Sequence, residues 1–200
     1  MTAELRQYFN EKAHIWDQLI EPETRERLAE IIRDLAIKPG SRVLDVGTGT
    51  GVLLPFLVEA VGPTGSIVAL DIAEEMLARA RAKNGDRNIE YVLGDITCTP
   101  FQEATFDEII CNSCFPHVRD KSGAVSEMAR ILRPGGRVVI CHTKSREAVN
   151  ELHRSLGGVV ANDLLPEDGE MRKLFEESGF VQISITNAPE RYLVTARKPC

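Results

Sequence analysis

A glycine-rich segment at residues 43–51, with the sequence VLDVGTGTG, is the part of the chain best suited to do chemistry. Its apolar half predicts a strand that runs directly into Gly47, Gly49 and Gly51. Glycines permit positive φ and carry no Cβ, so a loop built from them can pass very close to a ligand. The helix that follows directs its first N–H groups at the same place. The segment therefore predicts a ligand-binding loop, with a tight strand-to-helix packing turn as the alternative.

Two carboxylates near this loop indicate what the ligand carries. Asp45 lies within the end of the strand, where a buried carboxylate is costly unless it is paired or reaches water. Asp71 ends the next predicted strand, and an acid there can accept hydrogen bonds from both hydroxyls of a ribose. The loop lacks the Gly-Lys-Ser/Thr of a phosphate loop, and its Gly-x-Gly-x-Gly spacing differs from that of dinucleotide binders. A ligand with a ribose and a cationic or zwitterionic group fits these residues best.

A second group of cysteine, histidine and asparagine side chains follows two later predicted strands. Its members are Cys111, Asn112, Cys114, His117, Cys141, His142 and His153. Ligands of open α/β sheets bind at the carboxyl ends of the strands, so we expect this group at the same edge as the glycine loop. An imidazole there can remove a proton from a substrate near neutral pH. His117 is therefore the first candidate for a general base and His142 the second, with a hydrogen-bonded loop histidine as the alternative for each.

The spacing Cys111-x-x-Cys114-x-x-His117 also allows a metal or redox site. Zinc needs about four nitrogen or sulfur ligands. The remaining cysteine and histidines of the group would have to complete the set, because no second Cys-x-x-Cys is present. A thioredoxin-like redox motif opens a helix, whereas this motif ends a strand. We predict no metal here.

The elements that must position these groups alternate between strand and helix. Strand-forming runs occupy residues 42–46, 66–70, 89–93, 106–111 and 137–141, with a hairpin over 181–186 and 191–196. Helical runs occupy residues 52–60, 73–83, 123–132, 147–156 and 170–177, and residues 133–136 predict a turn. Two more helices are expected within residues 1–36, the first with a common apolar face formed by Leu5, Phe9, Ala13, Trp16 and Ile20. Such alternation implies right-handed βαβ units and a mostly parallel sheet covered on both faces.

Length and composition exclude several classes of protein. A chain of 200 residues, 43% of them hydrophobic, is long enough for one α/β domain and leaves little room for a second. We predict a single domain over residues 1–200, with a helical extension over 1–36 and an α/β core over 37–200. No apolar stretch reaches the roughly 18–20 residues of a membrane span and no leader core is evident, so the cytoplasm is the expected location. A net charge of −6 offers no basic face for nucleic acid, and five irregularly spaced cysteines do not indicate a disulfide scaffold.

Five motifs between residues 38 and 140 follow one another in a recognisable order. They are VLDVGTGTG, the Asp71 of IVALDIAEEM, Gly94-Asp95-Ile96, FDEIICNSCFPHV and RILRPGGRVVI. In order and spacing they resemble the motifs of class I S-adenosylmethionine-dependent methyltransferases, and within that class the small enzymes grouped with the ubiquinone and menaquinone C-methyltransferases. The resemblance implies a Rossmann-like, doubly wound α/β fold with a seven-stranded, mostly parallel sheet, an antiparallel C-terminal hairpin strand and an N-terminal helical lid. It also implies S-adenosylmethionine as cofactor, S-adenosylhomocysteine as product and a small-molecule acceptor; we expect a monomer or homodimer.

The same resemblance implies roles for individual residues. The methionine part of the cofactor would be held by Asp45, Gly47, Thr48, Gly49, Gly51 and Asn112. The adenosine part would be held by Asp71, Ile72, Met76, Asp95 and Ile96. In this scheme Asp71 binds the ribose hydroxyls and Asp95 reaches the adenine amine. Core packing is the alternative for the three apolar residues, and a helix cap or turn is the alternative for Asp71 and Asp95.

Methyl transfer does not require an obvious catalytic dyad. The enzyme mainly has to hold donor and nucleophile in line, in a site shielded from water, and a base matters only if the acceptor holds a proton. A non-catalytic module that binds S-adenosylmethionine is one alternative, and an RNA or protein methyltransferase is another. Asn112-Ser113-Cys114-Phe115 departs from the Asn/Asp-Pro-Pro-Tyr/Phe motif of amino-methylating enzymes, which argues against a nucleobase amine as acceptor.

Overall fold

Parallel strands bring the candidate residues to one edge of a seven-stranded sheet. The computed structural model describes residues 2–85 and 88–200. Its strands are β1 (Arg42–Val46), β2 (Ser66–Asp71), β3 (Ile89–Leu93), β4 (Phe106–Asn112), β5 (Leu132–His142), β6 (Val181–Ala188) and β7 (Arg191–Arg197). They lie in the order β3-β2-β1-β4-β5-β7-β6, and neighbouring strands are parallel except in the two pairs that involve β7. The predicted sheet, with its antiparallel C-terminal hairpin strand, is confirmed.

Helices cover both faces of this sheet. They are α1 (Ala3–Lys12), α2 (Pro22–Leu35), α3 (Leu54–Val61), α4 (Glu74–Asn84), α5 (Lys121–Ile131), α6 (Arg146–Leu156) and α7 (Asp168–Glu177). Helix α5 begins two residues earlier than its apolar pattern predicts, because the Asp120 carboxylate accepts a hydrogen bond from the N–H of Gly123 at 2.8 Å. Helix α7 is followed by Gly179, whose φ of +82° suits the left-handed turn at a helix end. Across the described ranges, no helix has both the length and the apolar character needed to cross a membrane.

The N-terminal segment is less regular than its apolar spacing predicts. Helix α1 ends at Lys12, and Ala13–Gln18 continues as a tighter 3₁₀ helix. The two kinds of helix still share a face, because Phe9 and Trp16 meet edge to face with ring centroids 5.5 Å apart. The predicted apolar face is therefore present, and the expectation of one continuous α-helix was wrong.

Successive residues of the central strands face opposite layers of helices. Leu44 and Val46 of β1 pack in a buried cluster with α5 and α7, whereas Val43 packs in a second cluster with α2 and α3. The two-residue period of a strand produces this division. It also places Cys111 in the first cluster and Cys141 in the second. The two thiols therefore lie on opposite faces of the sheet.

Strand β5 differs from the sequence prediction, because residues 133–136 belong to the strand rather than to a separate turn. The pairing of β4 with β5 shifts register between Phe106 and Glu108. The N–H of Gly135 donates to the carbonyl of Lys198 at 3.0 Å, and the N–H of Lys198 donates to the carbonyl of Gly136 at 2.9 Å. Residues near the C-terminus thus satisfy backbone groups of the segment predicted to turn. The turn prediction was wrong because this contact is long-range.

Candidate active site

A cavity of about 540 Å³ lies beside the carboxyl ends of β1, β2, β4 and β5. Residues between positions 8 and 24 form a second wall and α6 contributes a third, and the lining is mostly apolar. The predicted site residues that line it are Gly47, Thr48, Gly49, Asp71, Ile72, Met76, Ile96, Asn112, His117 and His142. Asp45, Gly51 and Asp95 lie outside this lining. The fold therefore gathers residues from four of the five motifs, together with His142, around one cavity.

Gly47 lies at the tightest point of the glycine loop. Its N–H and that of Thr48 donate to the carbonyl of Leu70 at 2.8 and 3.0 Å, which ties the loop to the end of β2. Gly47 has a φ of +67°, and a Cβ added to it would stand 2.2 Å from Sγ of Cys114. The loop can therefore close between β2 and Cys114 only with glycine at this position.

Two predicted residues outside the lining have roles in local structure. A Cβ on Gly51 would stand 2.7 Å from Nδ2 of Asn84 and 2.9 Å from Cδ1 of Leu54, so this glycine lets α3 and α4 approach each other. The Asp95 carboxylate accepts hydrogen bonds from the N–H and the hydroxyl of Thr97, both at 2.9 Å. These contacts correspond to the packing and turn alternatives. The cofactor contacts expected of Gly51 and Asp95 stay predictions.

Asp45 and Asp71 are buried carboxyl groups beside the loop. Asp45 accepts a hydrogen bond from the Thr48 hydroxyl at 2.7 Å, and Asp71 accepts from the N–H groups of Gly49 and Ala73 at 2.8 and 2.9 Å. Burial raises the pKa of Asp45 to about 7 and the pKa of Asp71 to about 6. Within the described part of the chain, neither carboxyl forms an ion pair with a lysine or arginine. A ligand with positive charge suits this site, because it would favour the ionised form of both groups.

The apolar side of the cavity is built from β2, α4 and the N-terminal segment. Ile72 and Met76 pack in a cluster with Ala13, Phe9 and Trp16. Ile96 belongs to the main core and also lines the cavity. Each of the three predicted apolar residues therefore packs against the protein and also presents surface to a ligand.

Polar contacts attach the N-terminal segment to the rim of the cavity. Asp17 accepts hydrogen bonds from the Thr50 hydroxyl at 2.5 Å and from Nζ of Lys83 at 2.9 Å. The side chain of Asn10 accepts from the N–H of Glu75 at 3.0 Å. These partners lie in the glycine loop and in α4, the two elements beside the ribose-binding candidate Asp71. The segment therefore lies at the rim of the cavity, held there by hydrogen bonds to both elements.

Three histidines line the cavity, and one aspartate joins two of them. Nδ1 of His117 lies 2.9 Å from Oδ2 of Asp163, and Nδ1 of His153 hydrogen-bonds to the backbone carbonyl of the same residue. His142 is buried, its Nε2 has no hydrogen-bond partner in the described part of the chain, and burial lowers its pKa to about 3. An imidazole with so low a pKa is a weak base at neutral pH, so His117 is better suited than His142 to accept a proton.

Sequence reasoning did not find Asp163. The residue lies in the stretch GVVANDLLP at 158–166, which has neither the period of a strand nor that of a long helix. Its side chain is nevertheless buried and reaches His117, which is 46 positions away in the chain. A single acid within an apolar stretch was the one local signal, because burial of a carboxylate requires a partner.

The cysteines near the cavity are core thiols. Burial raises the pKa of Cys111 well above its usual value and that of Cys141 to about 12, and Cys114 packs against Gly47. Protonated thiols are poor metal ligands and poor nucleophiles, since the thiolate is the reactive form. Among the residues that the structure describes, no group of three or more His, Cys, Asp or Glu side chains is placed to hold a metal ion.

Known proteins share this sequence pattern and this fold. A family described as "Methyltransferase domain" matches residues 44–140. A demethylmenaquinone methyltransferase of Staphylococcus aureus is 29% identical over 184 residues, a match that covers 78% of this chain and 74% of the relative. Two solved structures have the same fold. The methyltransferase in a complex with the Haloferax volcanii Trm112 activator has a TM-score of 0.80 and 20% identity, over 96% of this chain and 98% of that one. A SAM-dependent methyltransferase from Aquifex aeolicus has a TM-score of 0.74 and 24% identity, over 92% and 97% of the two chains.

Proposed function

We propose that this chain is a class I S-adenosylmethionine-dependent methyltransferase that transfers the methyl group of its cofactor to a small molecule bound in the same cavity. The observation that supports a small acceptor is the enclosure of the site, because the N-terminal segment lies over one side and α6 forms another. The volume of about 540 Å³ falls within the range of roughly 300–1,000 Å³ that is usual for small-molecule sites. Such a cavity suits a compact acceptor better than a folded RNA or a protein surface.

The two buried carboxyls and the loop are the proposed cofactor site. Asp71 would accept hydrogen bonds from the ribose hydroxyls through lone pairs that its two backbone donors leave free. The loop residues 47–49 would contact the positively charged methionine part, and Asn112 would lie at its end. Asp45 would act on that charge from outside the cavity lining, where it accepts a hydrogen bond from Thr48. Ile72, Met76 and Ile96 would pack against the adenine. S-adenosylmethionine, when bound, supplies an electrophilic methyl group on a positively charged sulfur.

The proposed acceptor site is the part of the cavity between the N-terminal segment and α6. Leu19, Leu152 and Leu156 line the cavity and are 58%, 45% and 57% exposed, so they stand at its mouth. Exposed leucines gathered at one place favour an acceptor with an apolar portion. The relative from Staphylococcus aureus is named for demethylmenaquinone, and this compound is therefore the first acceptor to test.

We assign His117 as the general base for an acceptor that carries a proton, and we assign the N-terminal segment as a lid. The lid would exclude water while the methyl group moves, which strengthens the electrostatic interactions inside the site. The assignment of residues 1–36 to the lid, and of the whole chain to one domain, rests on the contacts of Asp17 and Asn10 described above. The cytoplasm stays the predicted location.

Calorimetry with S-adenosylmethionine and S-adenosylhomocysteine tests the cofactor site. We expect micromolar binding by the wild type and a loss of roughly tenfold or more, about 1.4 kcal/mol, in Asp71→Ala. Asp34→Ala is the matched control, because Asp34 is exposed and pairs with Arg191 away from the cavity. A folded wild-type protein that binds neither ligand would overturn the proposed site.

Turnover distinguishes an enzyme from a non-catalytic binding module. Release of S-adenosylhomocysteine should be measured with demethylmenaquinone and with a panel of small hydroxyl, amine, thiol and carbon acceptors. We expect turnover with at least one apolar acceptor, and a His117→Gln variant should bind the cofactor normally while losing activity. Tight cofactor binding without turnover on any acceptor would favour the binding module.

A further inference from the structure

Asp163 determines which nitrogen carries the proton on two imidazole rings at once. Its carboxylate and its backbone carbonyl both accept hydrogen bonds. Nδ1 of His117, 2.9 Å from Oδ2, is therefore the protonated nitrogen of the neutral ring. Nδ1 of His153 is likewise protonated, because it donates to the carbonyl of Asp163. On each ring the nitrogen that keeps its lone pair is Nε2.

The Nε2 atoms of His117 and His153 keep their lone pairs. In the described part of the chain neither forms a hydrogen bond, and both residues line the cavity. The two ring centroids are 4.9 Å apart, and Phe9 packs edge-on against His117 with centroids 5.1 Å apart. Burial lowers the pKa of His153, which keeps that ring neutral and its lone pair free. The cavity lining thus includes two adjacent imidazoles, each with an Nε2 atom that forms no hydrogen bond within the described ranges.

The Asp163 carboxylate interacts chiefly with His117, to which it is hydrogen-bonded. Lys121 of α5 interacts electrostatically with Asp163, but its Nζ donates to the carbonyls of Pro116 and Val118. The other titratable groups that face His117 are His142 at the end of β5, His153 on α6 and Asp71 at the end of β2. A proton accepted by His117 would therefore be balanced by the Asp163 carboxylate, with which it shares a hydrogen bond.

We propose that Asp163 is a positioning residue for a two-imidazole acceptor site, and that the acceptor is an uncharged molecule with two neighbouring O–H or N–H groups. One group donates to Nε2 of His117 and the other to Nε2 of His153. This assignment rests on the proposed function and applies to an acceptor methylated on oxygen or nitrogen; demethylmenaquinone, a quinone without an O–H or N–H group, is not of this class. As the methyl group moves, its bond to sulfur breaks and leaves the electron pair on sulfur. A bond forms between the methyl carbon and the oxygen or nitrogen at His117, and the proton of that atom passes to Nε2. The group at His153 keeps its proton and orients the molecule.

Nitrogen NMR of ¹⁵N-histidine-labelled protein, without any ligand, tests the positioning role. The chain has four histidines, so single His→Gln variants assign the signals. We expect the wild type to show Nδ1–H and an unprotonated Nε2 on both His117 and His153. Asp163→Asn should move His117 toward the opposite tautomer, because an amide N–H can donate to Nδ1, and Asp163→Glu should restore the original one. Asp34→Asn is the control for the same chemical change at an exposed position.

His153 is an internal control in the same spectrum. It bonds to the backbone carbonyl, which Asp163→Asn leaves in place, so its tautomer should not change. An unchanged His153 signal also reports that the variant keeps its fold around the site. A His117 tautomer that is the same in the wild type and in Asp163→Asn, or a wild-type His117 with its proton on Nε2, would overturn the positioning role.

Titration of the complex with S-adenosylhomocysteine tests the acceptor class, with three ring compounds of similar size as probes. Catechol has two neighbouring hydroxyls, phenol has one, and 1,2-dimethoxybenzene has none. We expect catechol to shift Nε2 of both His117 and His153, phenol to shift one of them and dimethoxybenzene neither. Equal shifts with all three compounds, or none with catechol, would overturn the proposed class. Failure to bind S-adenosylhomocysteine at all would instead refute the proposed function, and the ligand-free tautomers would still stand.

Discussion

Gly47 is the position where the glycine loop passes between β2 and Cys114, and only glycine fits there. We therefore consider its replacement with alanine. Two separate costs follow from the structure. The backbone at Gly47 has a φ of +67°, which L-residues with a Cβ rarely adopt. The new Cβ would also stand 2.2 Å from Sγ and 2.5 Å from Cβ of Cys114, well inside contact distance. The Cβ of Cys114 is attached directly to the backbone, so rotation of the side chain cannot relieve both contacts.

The size of each cost can be worked out separately. A non-glycine residue with left-handed backbone geometry loses roughly 1–2 kcal/mol. Extra atoms forced into a packed site cost about 1–3 kcal/mol. We expect Gly47→Ala to lower the free energy of unfolding by the sum, about 2–5 kcal/mol. Gly179→Ala is the matched control, because Gly179 also has positive φ, at +82°, but a Cβ there would meet nothing within 4 Å. It should lose only the backbone part, about 1–2 kcal/mol.

Denaturant unfolding of four proteins measures the steric part by itself. The set is the wild type, Gly47→Ala, Cys114→Gly and the double variant, each compared by its transition midpoint at constant m-value. Removal of the Cys114 side chain leaves room for the new Cβ, so the double variant should be more stable than the two single losses predict, by about 1–3 kcal/mol. A difference from additivity below about 0.5 kcal/mol would refute the steric argument, because independent sites add to within that margin.

Two more predictions concern binding of the cofactor. Burial raises the pKa of Asp45 to about 7 and of Asp71 to about 6 in the ligand-free protein, and a cationic ligand favours the ionised forms. Affinity for S-adenosylmethionine should therefore rise as pH increases up to about 7, by at most tenfold per pH unit for each proton released, and then level off. Calorimetry in buffers of different ionisation enthalpy counts those protons, and an affinity independent of pH would refute the placement of the positive charge. Thr50→Val removes the hydroxyl that donates to Asp17, so S-adenosylhomocysteine should dissociate about tenfold faster in stopped-flow experiments. The unfolding midpoint should hardly change, and Thr105→Val, which loses a hydrogen bond away from the cavity, should leave the dissociation rate as in the wild type.

The sequence patterns that predicted the structure correctly are those in which neighbouring residues determine the local backbone conformation. The apolar runs at 42–46 and 89–93 form strands with those same ends, because β-branched residues between turn signals suit a pleated, buried strand. The glycine loop follows β1 as expected, because the positive φ at Gly47 and Gly49 favours glycine at each of these positions. Helix α3 starts two residues later than predicted, at Leu54, with Pro55 in its first turn, where the missing N–H of proline is tolerated.

The predictions that were wrong or missing depend on residues far apart in the chain. Residues 133–136 pair with the C-terminal segment rather than turning, and that pairing leaves no mark in the local sequence. The packing of Gly51 against Asn84 of α4 was not predicted, because the two residues are far apart in the sequence. Asp163 meets His117 only because the segment after α6 folds back over the edge of the sheet.

The sequence by itself determined the fold class, the order of strands and helices, the glycine loop and the acid that ends β2. Each of these follows from hydrophobic period and residue type over a few positions, and the motif order that they form is also what identifies the cofactor. The tertiary structure alone decided how the three histidines differ. Burial makes His142 a weak base, while contact with Asp163 gives His117 and His153 a defined tautomer. The reason is physical: the proton affinity of an imidazole depends on its burial and on its hydrogen-bond partners, and both are properties of the packed chain.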